Sequence, residues 1–147
     1  MFQHILIPLD GSTFGEQALG YATTLARQFN ATITLCHVIL QPQGAPMLAA
    51  EASELTSDIE NRALTSAVEY LESKAAVLRA TGLTVNLHTA QSNSVPQAIL
   101  DAIRTENADT VVMSTHGHTG LGRWMFGSVA ERVVRHSPVP VLLVRPQ

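Results

Sequence analysis

The segment TVVMSTHGHTGLGRWMFGSVAERVVRHSPVPVLLV, residues 110–144, contains the pattern that decides the fold. The apolar run Thr110–Met113 predicts a buried strand, and Ser128–His136 has the apolar spacing of a helix. Four glycines and several hydroxyl residues lie between them, within residues 114–128. Pro138–Val144 is apolar again and predicts another strand. The segment therefore indicates a strand, a glycine-rich turn, a helix and a second strand.

The chain before this segment alternates in the same way. Runs rich in aliphatic and β-branched residues predict strands, and runs with apolar residues three and four positions apart predict helices. The predicted strands are Gln3–Leu9, Thr32–Leu40 and Thr84–Ala90, and the predicted helices are Thr13–Asn30, about Leu48–Ala80 and Val95–Thr105. Alternation of this kind predicts one α/β domain with a mostly parallel five-stranded sheet and helices on both faces.

Two of the helices have apolar stripes that we expect to face the sheet. In the first helix the stripe consists of Ala18, Tyr21 or Ala22, Leu25 and Phe29, and in the second of Leu55, Ile59, Ala63, Ala67, Leu71 and Ala75. Ser12 or Thr13 is placed to cap the first helix, with Glu16 in position to complete a capping box. The segment QPQGAP, residues 41–46, predicts a mobile surface loop.

Composition excludes several classes of protein. With 147 residues, a net charge of −3 and only nine dispersed Lys and Arg residues, the chain lacks the basic surface of a nucleic-acid binder. No apolar run reaches the length of a membrane span, and the first residues lack a signal-peptide pattern, so we expect a cytoplasmic protein. The single cysteine, Cys36, excludes an intrachain disulfide and lies in an apolar run that favours an inert core thiol.

Two predicted strands end in residues suited to ligand binding. The first ends in Asp10 and continues into Gly11-Ser12, and the fourth ends in Ser114 and continues into the glycine-rich turn. In an open parallel sheet, ligands bind at the carboxyl ends of the strands where the strand order reverses. Asp10 repels phosphate but can accept hydrogen bonds from ribose hydroxyls, and a role as a helix cap is its alternative.

The glycine-rich turn suits phosphate binding. It leads to Gly127 and Ser128 at a predicted helix start, where unpaired N–H groups carry partial positive charge. Glycine lets those donors approach an anion closely, and Ser114 and Ser128 can add hydroxyl donors. The spacing of Gly117 and Gly122 resembles a P-loop, but Arg and Trp replace its Lys-Ser/Thr pair, so nucleotide holding is favoured over hydrolysis.

These residues give the sequence a clear resemblance to the universal stress protein family, in its nucleotide-binding branch. The family's loop has Gly, two residues, Gly, nine residues, Gly and then Ser or Thr. Gly117 and Gly127-Ser128 match this pattern, and Ser114 replaces the first glycine. The similarity also includes HILIPLDGS at residues 4–12 and LCHVI at residues 35–39.

The resemblance implies an α/β fold with strand order 3-2-1-4-5 that binds ATP, or ADP or AMP, with or without Mg²⁺. By the same resemblance, Asp10 would contact the ribose, and Val38 and the backbone near Met113 would contact adenine. Together with these, the implied nucleotide-binding residues are Pro8, Leu9, Ser114, His116, Gly117, Gly127, Ser128 and Val129. No catalytic residue or metal ligand is implied.

The resemblance also implies a homodimer that pairs through the last strand, Val139–Val144. We therefore expect a dimeric, adenine-nucleotide-binding sensor or regulator of the stress response that has, at most, weak ATP hydrolysis. Two alternatives remain open at this point. One is a dimeric interaction module that binds no nucleotide, and the other is a true, slow ATPase on the same fold.

Overall fold

The computed structural model describes residues 2–41, 49–115 and 127–145, and it describes only the backbone of residues 49–54. Within these ranges the chain forms five strands and five helices. The strands are β1 (His4–Pro8), β2 (Thr32–Leu40), β3 (Val85–Ser92), β4 (Thr110–Ser114) and β5 (Val141–Val144), and the helices are α1 (Thr13–Glu16), α2 (Ala18–Phe29), α3 (Ala49–Arg79), α4 (Val95–Thr105) and α5 (Ser128–His136).

The strands form one sheet in the order β3-β2-β1-β4-β5, and every neighbouring pair is parallel. This confirms the α/β class predicted from the alternation and the strand order implied by the family resemblance. The chain moves from β1 outward to β3 in one direction, then returns to β4 and moves outward to β5 in the other. The order therefore reverses between β1 and β4, which is where open parallel sheets form ligand-binding crevices.

Both faces of the sheet are covered by helices. One core cluster joins α2 and α3 to the sheet around Ile7, Leu35 and Leu71, and the other joins α4 and α5 to it around Leu6, Ile103 and Val133. All six of these side chains are fully buried or nearly so. Burial on both faces explains why the central strands appear in the sequence as continuous apolar runs.

Helix α2 contacts the sheet through a narrower set of residues than its sequence predicts. Ala18, Ala22 and Ala26 are fully buried, whereas Tyr21 and Phe29 are 54% and 46% exposed. The small alanines let the helix lie close to the strands, which leaves no room for an aromatic ring between them. The prediction for Phe29 was therefore wrong; its ring instead packs against Phe2, with 5.0 Å between the ring centroids.

Helix α3 follows its predicted stripe only in its second half. Ala67, Leu71 and Ala75 are buried, but Leu55 and Ile59 are 64% and 60% exposed. A helix of 31 residues is about 46 Å long, whereas the nine residues of β2 extend about 30 Å. The helix is thus longer than the strand it packs against, and its first turns extend past the sheet. No helix in residues 2–41, 49–115 or 127–145 is long and apolar enough to cross a membrane.

Asp109 joins the beginning of β4 to the beginning of β1. Its carboxylate accepts hydrogen bonds from the backbone N–H groups of Gln3 (2.8 Å) and His4 (3.4 Å) and from the Thr110 hydroxyl (3.1 Å). Burial acts to raise the pKa of Asp109, but these hydrogen bonds favour the charged form and together leave the pKa below its ordinary value. The carboxylate therefore stabilises the fold in its charged state.

The substitution Asp109→Asn keeps the shape of this side chain and removes its charge. We expect the free energy of unfolding at pH 7 to fall by about 1 kcal/mol, since hydrogen bonds to a charged acceptor are weakened or lost. The charged carboxylate stabilises the fold above the unfolded pKa of about 3.9, and this contribution is lost as the pH falls through the lower, folded pKa. Urea unfolding at several pH values should therefore show the difference from the parent narrowing below about pH 4.

Asp101→Asn is the matched control, because Asp101 is an exposed residue of α4 whose carboxylate pairs with Arg104 on the surface. We expect little change in unfolding free energy for this variant at any pH. A difference between Asp109→Asn and the parent that is the same at pH 3 and pH 7 would contradict the assigned role of the charge.

Candidate functional site

A cleft of about 740 Å³ opens at the carboxyl ends of β1, β2 and β4. Its volume lies in the range of small-molecule sites in proteins. Nine of the eleven residues that the sequence singled out line this one cleft, namely Pro8, Leu9, Asp10, Val38, Met113, Ser114, Gly127, Ser128 and Val129. The remaining two, His116 and Gly117, lie outside the described residues, as do residues 42–46 of the predicted loop.

On one side of the cleft, Asp10 organises the turn between β1 and α1. Its Oδ1 accepts hydrogen bonds from the Ser12 backbone N–H (3.0 Å) and the Ser12 hydroxyl (2.6 Å). The Ser12 hydroxyl oxygen in turn accepts from the Gly15 N–H (3.0 Å), which makes Ser12 the N-cap of α1. Asp10 thus supports the cap through Ser12 while it lines the cleft, so the two roles considered for it are compatible.

Gly15 is part of this arrangement, although no local pattern in the sequence indicates it. A Cβ atom at Gly15 would lie 2.7 Å from Asp10 Oδ1 and 3.3 Å from Ser12 Oγ. The absence of a side chain therefore leaves the space that the carboxylate occupies. Gly11 adds a positive φ of 84° in the same turn, a backbone conformation that glycine adopts at little cost.

The predicted capping box is not formed. The Ser12 N–H donates to Asp10, and the Glu16 carboxylate accepts hydrogen bonds from Tyr70 (3.0 Å) and Lys74 (2.8 Å) of α3 instead. Asp10, two residues before Ser12, reaches the Ser12 N–H and leaves Glu16 available for these long-range partners. The prediction for Glu16 was wrong because Ser12, and not Thr13, is the N-cap, which makes Gly15 the N3 residue of the helix.

On the opposite side of the cleft, the end of β4 meets the beginning of α5. The Gly127 N–H donates to the Thr115 carbonyl oxygen (2.8 Å), so the end of β4 and the beginning of α5 lie next to each other. Gly127 is the N-cap of α5, and as a glycine it has no side chain of its own to cap this helix start. The N–H groups in the first turn of α5 have no partners within the helix itself, so this side of the cleft carries partial positive charge.

A third wall, formed by β2 and α3, was not predicted as part of the site. It includes Ala63, Ala67 and Tyr70 of α3 and His37 of β2. His37 Nδ1 lies 2.8 Å from the Leu9 carbonyl oxygen, which can only accept, so Nδ1 carries the hydrogen. The alanines belong to the predicted apolar stripe, but nothing in the sequence near Tyr70 indicates a site, because its partners are distant in the chain.

Cys36 also borders the cleft, but its side chain is fully buried. Burial raises the pKa of the thiol to about 12, and the negative charge of Glu106 acts in the same direction. The thiol is therefore protonated at neutral pH, in agreement with the inert core role favoured by the sequence. No group of three or more His, Cys, Asp or Glu side chains suited to a metal ion occurs in the described part of the chain.

Comparison with known proteins places this geometry in a family. The model of the universal stress protein family matches residues 1–145. The chain is 31% identical over 146 residues to the universal stress protein MJ0531 of Methanocaldococcus jannaschii, a match that covers 99% of this chain and 83% of that protein. The chain belongs to the universal stress protein family. Among solved structures, the hypothetical protein MJ0577 is similar with a TM-score of 0.84 and 26% identity, covering 100% of this chain and 98% of that one.

Some structures of universal stress proteins with this fold contain adenine nucleotides. One is a universal stress protein in complex with cAMP (TM-score 0.70, 20% identity, 99% of this chain and 98% of that one). Another is the universal stress protein of Archaeoglobus fulgidus in complex with dAMP (TM-score 0.67, 20% identity, 97% of this chain and 98% of that one). At 20% identity, the likeness of this chain to these two structures concerns the fold alone.

The buried thiol gives a direct test of the cleft's geometry. We expect Cys36 in the native protein to react with Ellman's reagent at least about 100-fold more slowly than in the urea-unfolded chain, because it is both inaccessible and protonated. Absorbance at 412 nm measures the rate, and free cysteine at the same pH is the control. A native rate close to that of free cysteine would show that the cleft exposes the thiol.

Proposed function

We propose that this universal stress protein binds ATP, or the related ADP or AMP, in the cleft between β1 and β4. The observation that carries the proposal is the placement of unlike groups on opposite sides of the cleft. The Asp10 carboxylate lies on one side, and the beginning of α5, whose N-cap is Gly127, lies on the other. A nucleotide has hydroxyl donors and anionic phosphates at separate positions, so it complements both sides at once.

The chemistry of the lining residues supports an assignment of each ligand part. Asp10 would accept hydrogen bonds from ribose hydroxyls, as a carboxylate has acceptor capacity beyond the bonds to Ser12. The phosphates would lie at the N–H groups of Gly127 and Ser128, where glycine leaves the backbone accessible. Val38, Met113 and Val129 give apolar surface for adenine. The adenine nucleotides bound by the relatives described above are consistent with this arrangement.

We propose that the nucleotide is held as a signal and is hydrolysed, at most, weakly. Of the described lining residues that could act as a general base, Asp10 already accepts two hydrogen bonds from Ser12, and His37 donates its Nδ1–H to the Leu9 carbonyl oxygen. The Tyr70 hydroxyl is held protonated by burial and by Glu16, both of which raise its pKa. Any Mg²⁺ would then be bound mainly through the phosphates.

We further propose a cytoplasmic, dimeric sensor of the stress response that pairs through β5. This strand is at the edge of the sheet, next to β4 alone, and Leu142 on it is 40% exposed. An apolar edge strand with unpaired backbone groups is a template for association with another chain. Pairing of two copies through β5 would cover both the backbone edge and the exposed leucine.

Thermal unfolding with and without ATP tests nucleotide binding. With an assumed dissociation constant of about 10 μM, about 1 mM ATP would stabilise the parent by roughly 2.7 kcal/mol. Gly127→Val should abolish this shift, since a branched side chain would occupy the phosphate position. The backbone at Gly127 has φ −59° and ψ 148°, which any residue adopts, so the variant should fold normally.

Gly20→Val is the matched control for this experiment. Gly20 lies on the exposed face of α2, and a Cβ there meets no atom within 4 Å. We expect this variant to lose a little stability and to keep the full ATP shift. A parent that shows no shift with ATP, ADP or AMP would refute the proposed function, and a Gly127→Val variant that keeps the shift would refute the phosphate assignment.

Light scattering after size-exclusion chromatography tests the dimer. We expect the parent to elute as a dimer and Leu142→Glu as a monomer, because the substitution would bury two like charges at the β5 interface. Val77→Glu is the control, since Val77 is an exposed apolar residue of α3 and should not affect association. A parent that is monomeric at 100 μM would rule out the proposed pairing.

A further inference from the structure

Three polar side chains meet at the rim of the cleft, beside the turn that holds Asp10. Glu16, the last residue of α1, accepts a hydrogen bond from the Tyr70 hydroxyl at Oε1 (3.0 Å) and from Lys74 Nζ at Oε2 (2.8 Å). Lys74 Nζ also lies 5.6 Å from the centre of the Tyr70 ring. Lys74 is the only lysine in the chain.

The bonds of Glu16 connect α3 to the Asp10 turn through a short path. The Glu16 N–H donates to the Ser12 carbonyl oxygen (3.1 Å), and the Ser12 hydroxyl donates to Asp10. The residue before Glu16 is Gly15, whose N–H donates to that same hydroxyl oxygen. A displacement of Glu16 would therefore be felt at Ser12, which is hydrogen-bonded directly to the Asp10 carboxylate.

Tyr70 connects the same cluster to β2. Its ring contacts the His37 ring edge-on, with 5.9 Å between the centroids, and His37 donates to the carbonyl oxygen of Leu9 next to Asp10. Tyr70 itself is half-buried and lines the cleft. It thus contacts the structure on both sides of Asp10, through its hydroxyl to α1 and through its ring to β2.

We propose that Tyr70 is a positioning residue for the nucleotide site: through Glu16, it holds the Asp10 turn in the orientation that accepts the ribose hydroxyls. The inference rests on the proposed function, since it concerns the same cleft. Lys74 forms an ion pair with Glu16, the second carboxylate near Asp10. Burial raises the pKa of Tyr70, and so does its hydrogen bond to Glu16, so its hydroxyl remains a donor at neutral pH.

Tyr70→Phe tests the proposal because it removes the hydroxyl and keeps the ring. We expect the dissociation constant for ATP to rise about three- to tenfold, in line with one weakened hydrogen bond to a charged group. The dissociation constant for 2′,3′-dideoxy-ATP should change by less than about twofold, since that analogue lacks the hydroxyls Asp10 would bind. Tyr21→Phe, at the exposed tyrosine of α2, is the matched control and should bind both ligands as the parent does.

A double-mutant cycle tests whether Tyr70 acts through Glu16. We expect Glu16→Gln to weaken ATP binding by a similar factor, and the double variant to bind no more weakly than the worse single variant. Additive losses would overturn the coupling. Equal losses for ATP and the dideoxy analogue would also overturn the proposal, because they would indicate a general disturbance of the cleft rather than of ribose recognition.

The protein without ligand gives a readout that does not depend on the proposed function. We expect the amide NMR resonances of Ser12 and Gly15 to shift in Tyr70→Phe, and those of the Tyr21→Phe protein to match the parent. If the parent fails to bind ATP, the proposed function fails, but shifted Ser12 and Gly15 resonances would still support the positioning role. Unchanged resonances in Tyr70→Phe would overturn the positioning role whether or not ATP binds.

Discussion

The structure depends on how far β1 and β4 stay paired. Along β1, all five residues pair with β2, from His4 opposite Thr32 to Pro8 opposite Cys36. The pairing of β1 with β4 involves Ile5 and Leu6 alone, opposite Thr110 and Val111. Strands β1 and β4 are therefore joined to each other at their beginnings, where Asp109 also connects them. At their carboxyl ends they pair with β2 and β5, respectively, and not with each other. The cleft lies at the end of the sheet where this pairing stops, and nine of the eleven residues considered for ligand binding line it.

Most of the fold could be predicted from the sequence because its signals are local. The boundaries of β2, α4 and α5 were predicted to the residue, since each has a strong apolar period and a clear start or end. The strand order came from the family resemblance. The errors concern tertiary geometry: the face of α2 depends on how closely alanines approach the sheet, and the exposure of Leu55 depends on where the sheet ends beneath α3.

The candidate site could be predicted where its residues belong to short motifs. Ser114 ends β4, Asp10 follows the end of β1, and Gly127 is the N-cap of a helix, so local patterns identify them. The wall formed by α3 was missed, because Tyr70 and Lys74 meet Glu16 across 54 and 58 residues of sequence, a separation for which no local pattern exists. Gly15 was missed for a related reason, because its importance lies in the space it leaves for a carboxylate five residues earlier.

The distribution of charge around the cleft limits how any nucleotide could lie in it. One side of the cleft contains the Asp10 carboxylate, which repels phosphates from that side. The other rim offers the beginning of α5, whose N–H groups attract an anion. In the proposed binding mode, an adenine nucleotide would therefore have its ribose towards β1 and its phosphates towards α5. Backbone groups would hold the phosphates and a carboxylate turn the ribose, so the proposed orientation needs no basic side chain among the described lining residues.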